Sequence, residues 1–185
     1  MELDKAIKER KSVRKYITKA PNWREIIEAI DAGLQGPLAG NIGSVRFILV
    51  SDRELIQQLK EACQEDFVAT AHYVVVVCSD PKDVLRAYGE RGEIYVRQQA
   101  GAAIENFLLK LVDLGLSGCW IGDFVEEQVK TTIRTPSNVY IEAVIPIGYS
   151  ADKSVRKRKP SMDMAMYFDK YKSREMKPKK QVEAF

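Results

Sequence analysis

The sequence is poor in the residues from which metal sites and nucleophilic sites are built. Its 185 residues include one histidine, His72, and three cysteines, Cys63, Cys78 and Cys119. The cysteines show no metal-ligand spacing, and a zinc site would have almost no imidazole to use. No Ser-His-Asp or Cys-His set can be assembled around His72, which opens an apolar run and is expected to be structural. The residues therefore predict that no metal is bound and that the chemistry belongs to a cofactor.

Long hydrophobic runs and a large net charge are also missing. The longest apolar runs are far shorter than the ~20 residues of a membrane-spanning helix, and no signal-peptide pattern is visible. The formal net charge is only +3. The basic residues cluster at 5–15 and 153–180 without interleaved aromatic residues, which makes a nucleic-acid-binding protein a weak alternative. We expect a cytoplasmic protein with no membrane or nucleic-acid partner, since buried single thiols suit the cell interior.

Apolar residues make up 45% of the chain and charged residues 30%, which is ample for a hydrophobic core. We expect one domain at 1–172 and a C-terminal tail at 173–185. Helices and strands mix without strict alternation, so the predicted fold class is α+β, a small mixed sheet wrapped by helices. The main predicted strands are 45–50, 72–79, 119–121 and 139–149. The main predicted helices are 2–9, a helix that opens at 21–22 and ends at 33 or 36, 53–64, 81–88, 93–114, 125–133 and 162–171.

Three of these elements carry further expectations. The apolar run at 73–78 predicts a strand that is buried on both faces. Pro146 predicts that the last strand bends or reaches a sheet edge. The helix at 93–114 has small residues at 100–103 and large apolar residues on several sides, so another helix can approach it closely. That helix could lie between two subunits or be buried inside one.

The segment 10–16, RKSVRKY, combines cations with a hydroxyl. If it is extended, Arg10, Ser12, Arg14 and Tyr16 point to one side. Guanidinium groups bind phosphate in a planar, bidentate manner, and serine adds a neutral donor. A basic run of this length is also typical of a solvated face, and that alternative is open from these residues alone.

Several stretches together resemble the FMN-dependent nitroreductase family, and their order and spacing agree with it from about residue 1 to 171. The chain resembles small, single-domain members. The stretches are RKSVRKY at 10–16, GPLAGN at 36–41, YGERG at 88–92 with the glutamines at 98–99, GLSGCWIG at 115–122, and IGY at 147–149 followed by RKRKP at 156–160. The resemblance implies the family's fold, an intertwined homodimer with each flavin at the subunit interface.

The resemblance also implies a set of flavin contacts. Arg10, Ser12 and Arg14 match the phosphate and ribityl contacts, and Arg156 and Arg158 match C-terminal cations that close on the phosphate. Arg14 is also expected at the N1/O2 edge, where negative charge grows when the flavin is reduced. An alternative is that Arg14 only grips phosphate, and that Arg156 and Arg158 belong to a solvated linker.

Two further segments are implied to contact the flavin ring. One edge would be lined by a loop whose glycine permits close backbone approach, namely Leu38, Ala39, Gly40 and Asn41. Ile121 and Gly122 match the segment at the reactive edge, with the Gly122 N–H as the partner of N5. Trp120 is expected to pack in the core rather than to stack on a substrate.

The implied activity is an oxidoreductase that passes hydride from NADH or NADPH through flavin N5 to a small organic acceptor, nitroaromatic or quinone-like, by ping-pong kinetics. Gly122 and Arg14 would act at the reacting ring. The alternative is a non-enzymatic flavin-binding or flavin-storage module. The chain departs from the family pattern at Gln99 and Glu105, where an acid and an amide are expected, and in the Leu38-Ala39 pair, where a small hydroxyl residue is common.

Overall fold

The computed structural model describes residues 1–152 and 159–176. The chain divides into two units, Met1–Ser154 and Val155–Phe185. Within the described residues the strands are Val45–Val50 (β1), Tyr73–Ser79 (β2), Ser117–Gly118 (β3) and Tyr140–Gly148 (β4). The α-helices are Leu3–Glu9 (α1), Trp23–Leu34 (α2), Arg53–Cys63 (α3), Lys82–Tyr88 (α4), Arg91–Asp113 (α5), Glu126–Ile133 (α6) and Met162–Ala165 (α7). The division at 172 stays a prediction.

The strands form one sheet in the order β1-β2-β4-β3. The α+β class is confirmed, but the expectation of a mixed sheet is wrong, because every described pairing is antiparallel. Val50 at the end of β1 pairs with Val74 at the start of β2. The connection that contains α3 therefore begins and ends at the same end of the β1–β2 pair, and the chain reverses direction between the two strands.

Helices cover both faces of this sheet. Val75 and Val77 of β2 pack into a core with α2 and α5, whereas Val74 and Val76 pack into a second core with α3 and α6. All four valines are fully buried. The predicted burial of this strand on both faces is confirmed, and alternation of side chains along the strand is the reason. None of the helices in the described part of the chain is long and apolar enough to cross a membrane.

The long predicted helix is present as α5, although it begins earlier than expected. Gly92, which precedes the predicted start at 93, lies inside the helix, where a Cβ would come within 2.9 Å of the Val84 carbonyl oxygen in α4. One face of α5 is buried, while the opposite face leaves Ile94 43% exposed. A Cβ on Gly101 would meet no described atom within 4 Å. A single chain therefore leaves one face of α5 uncovered.

The short strand expected at 119–121 is interrupted. Ile121 exchanges two hydrogen bonds of 3.1 Å with Val144, separately from the ladder between β3 and β4. Continuing the β3 register places the residue after Gly118 opposite Pro146. Along β4 the backbone N–H and C=O groups of every second residue point toward the same neighbouring strand. Those of Val144 point toward Ile121, so the backbone of Pro146 also points toward β3, and proline has no N–H to donate. The missing donor breaks the neighbouring strand, and β4 itself lies inside the sheet rather than at its edge.

The second unit is described over residues 159–176. Its helix α7 has four residues, so the predicted helix at 162–171 is wrong in length. Met162 and Met164 are 73% and 72% exposed. A helix without a buried face is only marginally stable, which explains why this one ends early.

Candidate functional site

The cationic segment, residues 10–16, lies along the sheet edge beside β3. The Val13 N–H donates to the Gly118 carbonyl oxygen at 3.2 Å. Val13 is buried, whereas Ser12 and Arg14 on either side of it are exposed. An inward valine between two outward polar residues is the alternation expected of extended chain. The structure thus brings Ser12 and Arg14 next to the 118–122 stretch.

Tyr16 breaks the predicted alternation of the cationic segment. Its side chain turns inward, and its hydroxyl lies 2.8 Å from the Val13 carbonyl oxygen and 2.9 Å from that of Pro146. Burial raises the pKa of Tyr16 well above its ordinary value, so the hydroxyl stays protonated and is shared between the two carbonyls. The side chain packs closely against Gly148. Tyr16 therefore anchors the segment to the sheet and does not join the row of Arg10, Ser12 and Arg14.

Replacing Gly148 with alanine is expected to lower the free energy of unfolding by about 1–2 kcal/mol, because overpacking forces neighbours to move. The new Cβ would lie 2.8 Å from the Tyr16 ring. Gly122→Ala is the matched control, since its Cβ would enter open space. Urea denaturation of both variants measures the difference. Equal midpoints for Gly148→Ala and the unmodified protein would contradict this packing account.

Cys119 lies beneath the exposed cations. Its thiol is 1% exposed and hydrogen-bonded to the Ser12 side chain. Burial raises the pKa of Cys119, and the nearby Arg14 charge and the Ser12 bond only partly offset that effect. Burial likewise raises the pKa of Cys63 and of Cys78 to about 12. The prediction that Cys78 and Cys119 are core residues is confirmed, and neither is a thiolate nucleophile at neutral pH.

Trp120 is 40% exposed, so its predicted core position is wrong for the single chain. Cys119 and Ile121 point inward and are buried. Successive side chains of extended backbone point to opposite sides, so the residue between them must face outward. An indole therefore stands beside Gly122 at the surface.

Gly122 follows Ile121 at the end of this stretch and is exposed. Among the described residues its N–H has no hydrogen-bond partner, and a Cβ there would meet nothing within 4 Å. Ile121 and Asp123 on either side of it line a cavity of about 320 Å³, together with residues 62–65 and 124–125. Gly122 thus offers an unused backbone donor at the edge of a small cavity.

Arg14 is exposed, and its guanidinium carbon lies 5.9 Å from the centre of the Phe67 ring. Phe67 belongs to a 3-10 turn at Asp66–Thr70, an element that was not predicted. Sequence analysis missed Phe67 as a neighbour of the cationic segment. Nothing in the local pattern could have found it, because the contact joins two distant parts of the chain.

Arg10 forms an ion pair with Glu105 of α5, with Nε 3.1 Å from Oε1. Its backbone N–H donates to the Ala6 carbonyl oxygen at 2.9 Å, which ends α1. The side chain is therefore held between α1 and α5. Arg156 and Arg158, predicted to join it, lie outside the described residues.

The predicted glycine-rich loop, residues 36–41, packs against α4. It contains a 3-10 turn, Ala39–Asn41, in which Gly40 and Asn41 are left-handed with φ of 57° and 60°. The Tyr88 hydroxyl of α4 lies directly over Gly40 and leaves no room for a Cβ. Leu38, Gly40 and Asn41 are exposed and Ala39 is half-buried. The loop thus presents backbone to solvent and rests against α4. The cationic segment instead runs along β3 and reaches α5 through Arg10.

Gln99 lies behind this loop. The Ser44 hydroxyl donates to Gln99 Oε1 at 3.1 Å, and both residues are buried. The amide nitrogen has no partner among the described residues. A glutamine here replaces the expected acid with a neutral group that burial tolerates.

The antiparallel sheet covered by helices on both faces is an α+β fold that solved nitroreductase structures share. A solved structure from Parabacteroides distasonis, described as "Putative NADH dehydrogenase/NAD(P)H nitroreductase", matches with a TM-score of 0.80 and 25% identity, covering 91% of this chain and 98% of that one. NADPH:FMN oxidoreductase from Vibrio harveyi, solved in complex with NAD+, matches with a TM-score of 0.80 over 92% and 78% of the chains. Its 20% identity shows the fold alone.

Sequence comparison gives the family. A relative from Archaeoglobus fulgidus with the same description as the Parabacteroides protein is 31% identical over 154 residues, which cover 80% of this chain and 86% of that protein. The family model described as "Putative TM nitroreductase" matches residues 2–184. The chain therefore belongs to this nitroreductase family, and the resemblance drawn from its motifs is confirmed.

Proposed function

We propose that the chain is an FMN-dependent oxidoreductase that uses NADH or NADPH to reduce a small organic acceptor such as a nitroaromatic or a quinone. Family membership supports the class of reaction. The observation that carries the proposal is the hydrogen bond between Val13 and Gly118. It holds exposed Ser12 and Arg14 beside the start of the 118–122 stretch, and Gly122 lies at the end of the same stretch. This supports a single surface that carries both the donors proposed for the phosphate and the donor proposed for the flavin ring.

The donors at this surface fit FMN. Arg10, Ser12 and Arg14 supply charged and neutral hydrogen bonds of the kind that phosphate and ribityl oxygens accept. The unpartnered N–H of Gly122 suits a ring nitrogen, and the open space at its α-carbon lets a planar ring approach. Leu38, Ala39, Gly40 and Asn41 would add a second backbone edge, and Arg156 and Arg158 further cations.

When bound, FMN would supply the redox chemistry by taking hydride at N5 from a nicotinamide and passing the electrons to the acceptor. Arg14 would place a fixed positive charge near the ring, and the Gly122 N–H would orient its N5 edge. The cavity of about 320 Å³ beside Gly122 is at the small end of ligand sites, which favours a small acceptor. Donor and acceptor would use the same place in turn, so initial-rate lines are expected to run parallel.

We also propose a homodimer with the flavin at the subunit interface. The outer face of α2 carries an apolar stripe of Trp23, Ile27 and Leu34, which are 43%, 47% and 50% exposed. Together with the open face at Gly101, this is more apolar surface than a monomer usually leaves in water. A second copy would cover it and can bring a loop at 38–41 to the other chain's cations.

Anaerobic mixing with NADH or NADPH tests the proposed function. The purified protein is expected to be yellow, with about one FMN per chain, and to bleach promptly with at least one nicotinamide. A protein that holds FMN but stays yellow with both would be a flavin-storage module instead. A protein that takes up no FMN would contradict the site itself.

Replacing Arg14 with alanine is expected to slow flavin reduction about tenfold while weakening nicotinamide binding less, because the charge that Arg14 answers appears only as hydride arrives. Stopped-flow bleaching of the FMN-reconstituted variant measures the rate. Lys15→Ala is the matched control, since Lys15 is the adjacent exposed cation. An unchanged rate of flavin reduction in the FMN-loaded Arg14→Ala variant would mean that Arg14 contacts only the phosphate.

A further inference from the structure

A surface carboxylate holds the first arginine of the cationic segment. Arg10 Nε lies 3.1 Å from Glu105 Oε1, with the arginine side chain 19% exposed and the glutamate side chain 46% exposed. Arg10 follows α1, and Glu105 lies in the middle of α5. The pair therefore fixes a long side chain against the longest helix among the described residues.

In this ion pair the Arg10 nitrogen at 3.1 Å from the carboxylate is Nε. Among the described residues, the Arg10 side chain makes no hydrogen bond, and Glu105 is its ion-pair partner. The N–H groups of its two terminal nitrogens are therefore left for a ligand. Those nitrogens form the planar fork that binds two oxygens of a phosphate group.

We propose that Glu105 is a positioning residue for phosphate binding, which holds Arg10 through Nε so that both terminal nitrogens face the ligand. The proposal rests on the proposed function, in which Arg10 binds the phosphate of FMN. An unrestrained arginine must be ordered when the phosphate binds, at a loss of about three- to tenfold in affinity. Glu105 orders Arg10 before the ligand arrives.

The charge of Glu105 acts in the opposite direction, because a carboxylate repels phosphate. Its side chain is nearly half exposed, so water and salt screen that repulsion. Positioning is therefore the larger of the two effects. A glutamine at this place would keep an oxygen within reach of Nε and would remove the repulsion. It would also restore the amide that the family resemblance expects at residue 105.

Titration of the flavin-free protein with FMN and with riboflavin, followed by flavin fluorescence, tests the proposal. Glu105→Ala is expected to weaken FMN about three- to tenfold and to leave riboflavin unchanged, because riboflavin has no phosphate. Glu105→Gln is expected to bind FMN at least as tightly as the unmodified protein. In an Arg10→Ala background, Glu105→Ala is expected to cause no further loss, because Glu105 acts only through Arg10.

An unchanged ratio of FMN to riboflavin affinity in Glu105→Ala would overturn the positioning role. A Glu105→Gln variant as weak as Glu105→Ala would also overturn it, because an oxygen placed near Nε would then not be enough to hold Arg10. Equal affinities of the unmodified protein for the two flavins would instead reject the phosphate site of the proposed function. Alanine favours helices, and Glu105 is a half-exposed helical position, so both variants are expected to fold.

Discussion

Arg10→Ala is expected to weaken FMN binding about ten- to hundredfold and to leave riboflavin binding nearly unchanged. Each charge-assisted hydrogen bond to phosphate contributes about 1.5–3 kcal/mol, and the alanine variant loses at least one of them. The remaining cations cannot replace it, because a fork held at a fixed place gives geometry as well as charge. Fluorescence titration of the flavin-free variant with both flavins measures the two affinities.

Lys5→Ala is the matched control for this variant. Lys5 is an exposed cation of α1 whose ammonium lies 3.8 Å from Glu9, so its removal changes net charge without touching the cationic segment. FMN affinity in the control is expected to stay within about twofold of the unmodified protein, since long-range charge effects at exposed sites are screened. Equal losses for FMN and riboflavin in Arg10→Ala would show that Arg10 supports the fold and not the phosphate.

Gly101→Leu is expected to convert a flavin-loaded dimer into a monomer without flavin. Within one chain the new side chain begins in open space, because apart from the neighbouring backbone of α5 itself no described atom lies within 4 Å of the Cβ position. Leucine also favours the helix over glycine by close to 1 kcal/mol, so the monomer gains local stability. Loss of assembly would therefore report a clash with a second copy. Light scattering with absorbance at the flavin band measures mass and loading together.

Gln128→Leu is the matched control, because it adds the same side chain at an exposed position of α6. It is expected to remain dimeric and yellow. A stable, flavin-loaded monomer of the unmodified protein at micromolar concentration would contradict the proposed dimer. Full assembly of Gly101→Leu would move the interface away from this face of α5.

The sequence by itself determined most of the secondary structure. Apolar residues at helical spacing located α2, α3 and α5 within a few residues, and runs rich in apolar residues located β1 and β2, because these patterns are local consequences of side-chain direction. It also determined the family, since several motifs in order carry more information than any single one. The motifs named the cationic segment and the Gly118–Gly122 stretch as parts of one site.

Only the tertiary structure decided how those parts meet. The antiparallel sheet, the gap in the strand opposite Pro146 and the outward position of Trp120 all depend on the register between strands that lie far apart in the chain. The pairing of Arg10 with Glu105 likewise joins two helices, and each residue alone resembles an ordinary surface charge. Local patterns report which way a side chain points within its own element. They do not report which residues of other elements contact that side chain. The proposed binding of a phosphate by Arg10 depends on such a contact, the one with Glu105.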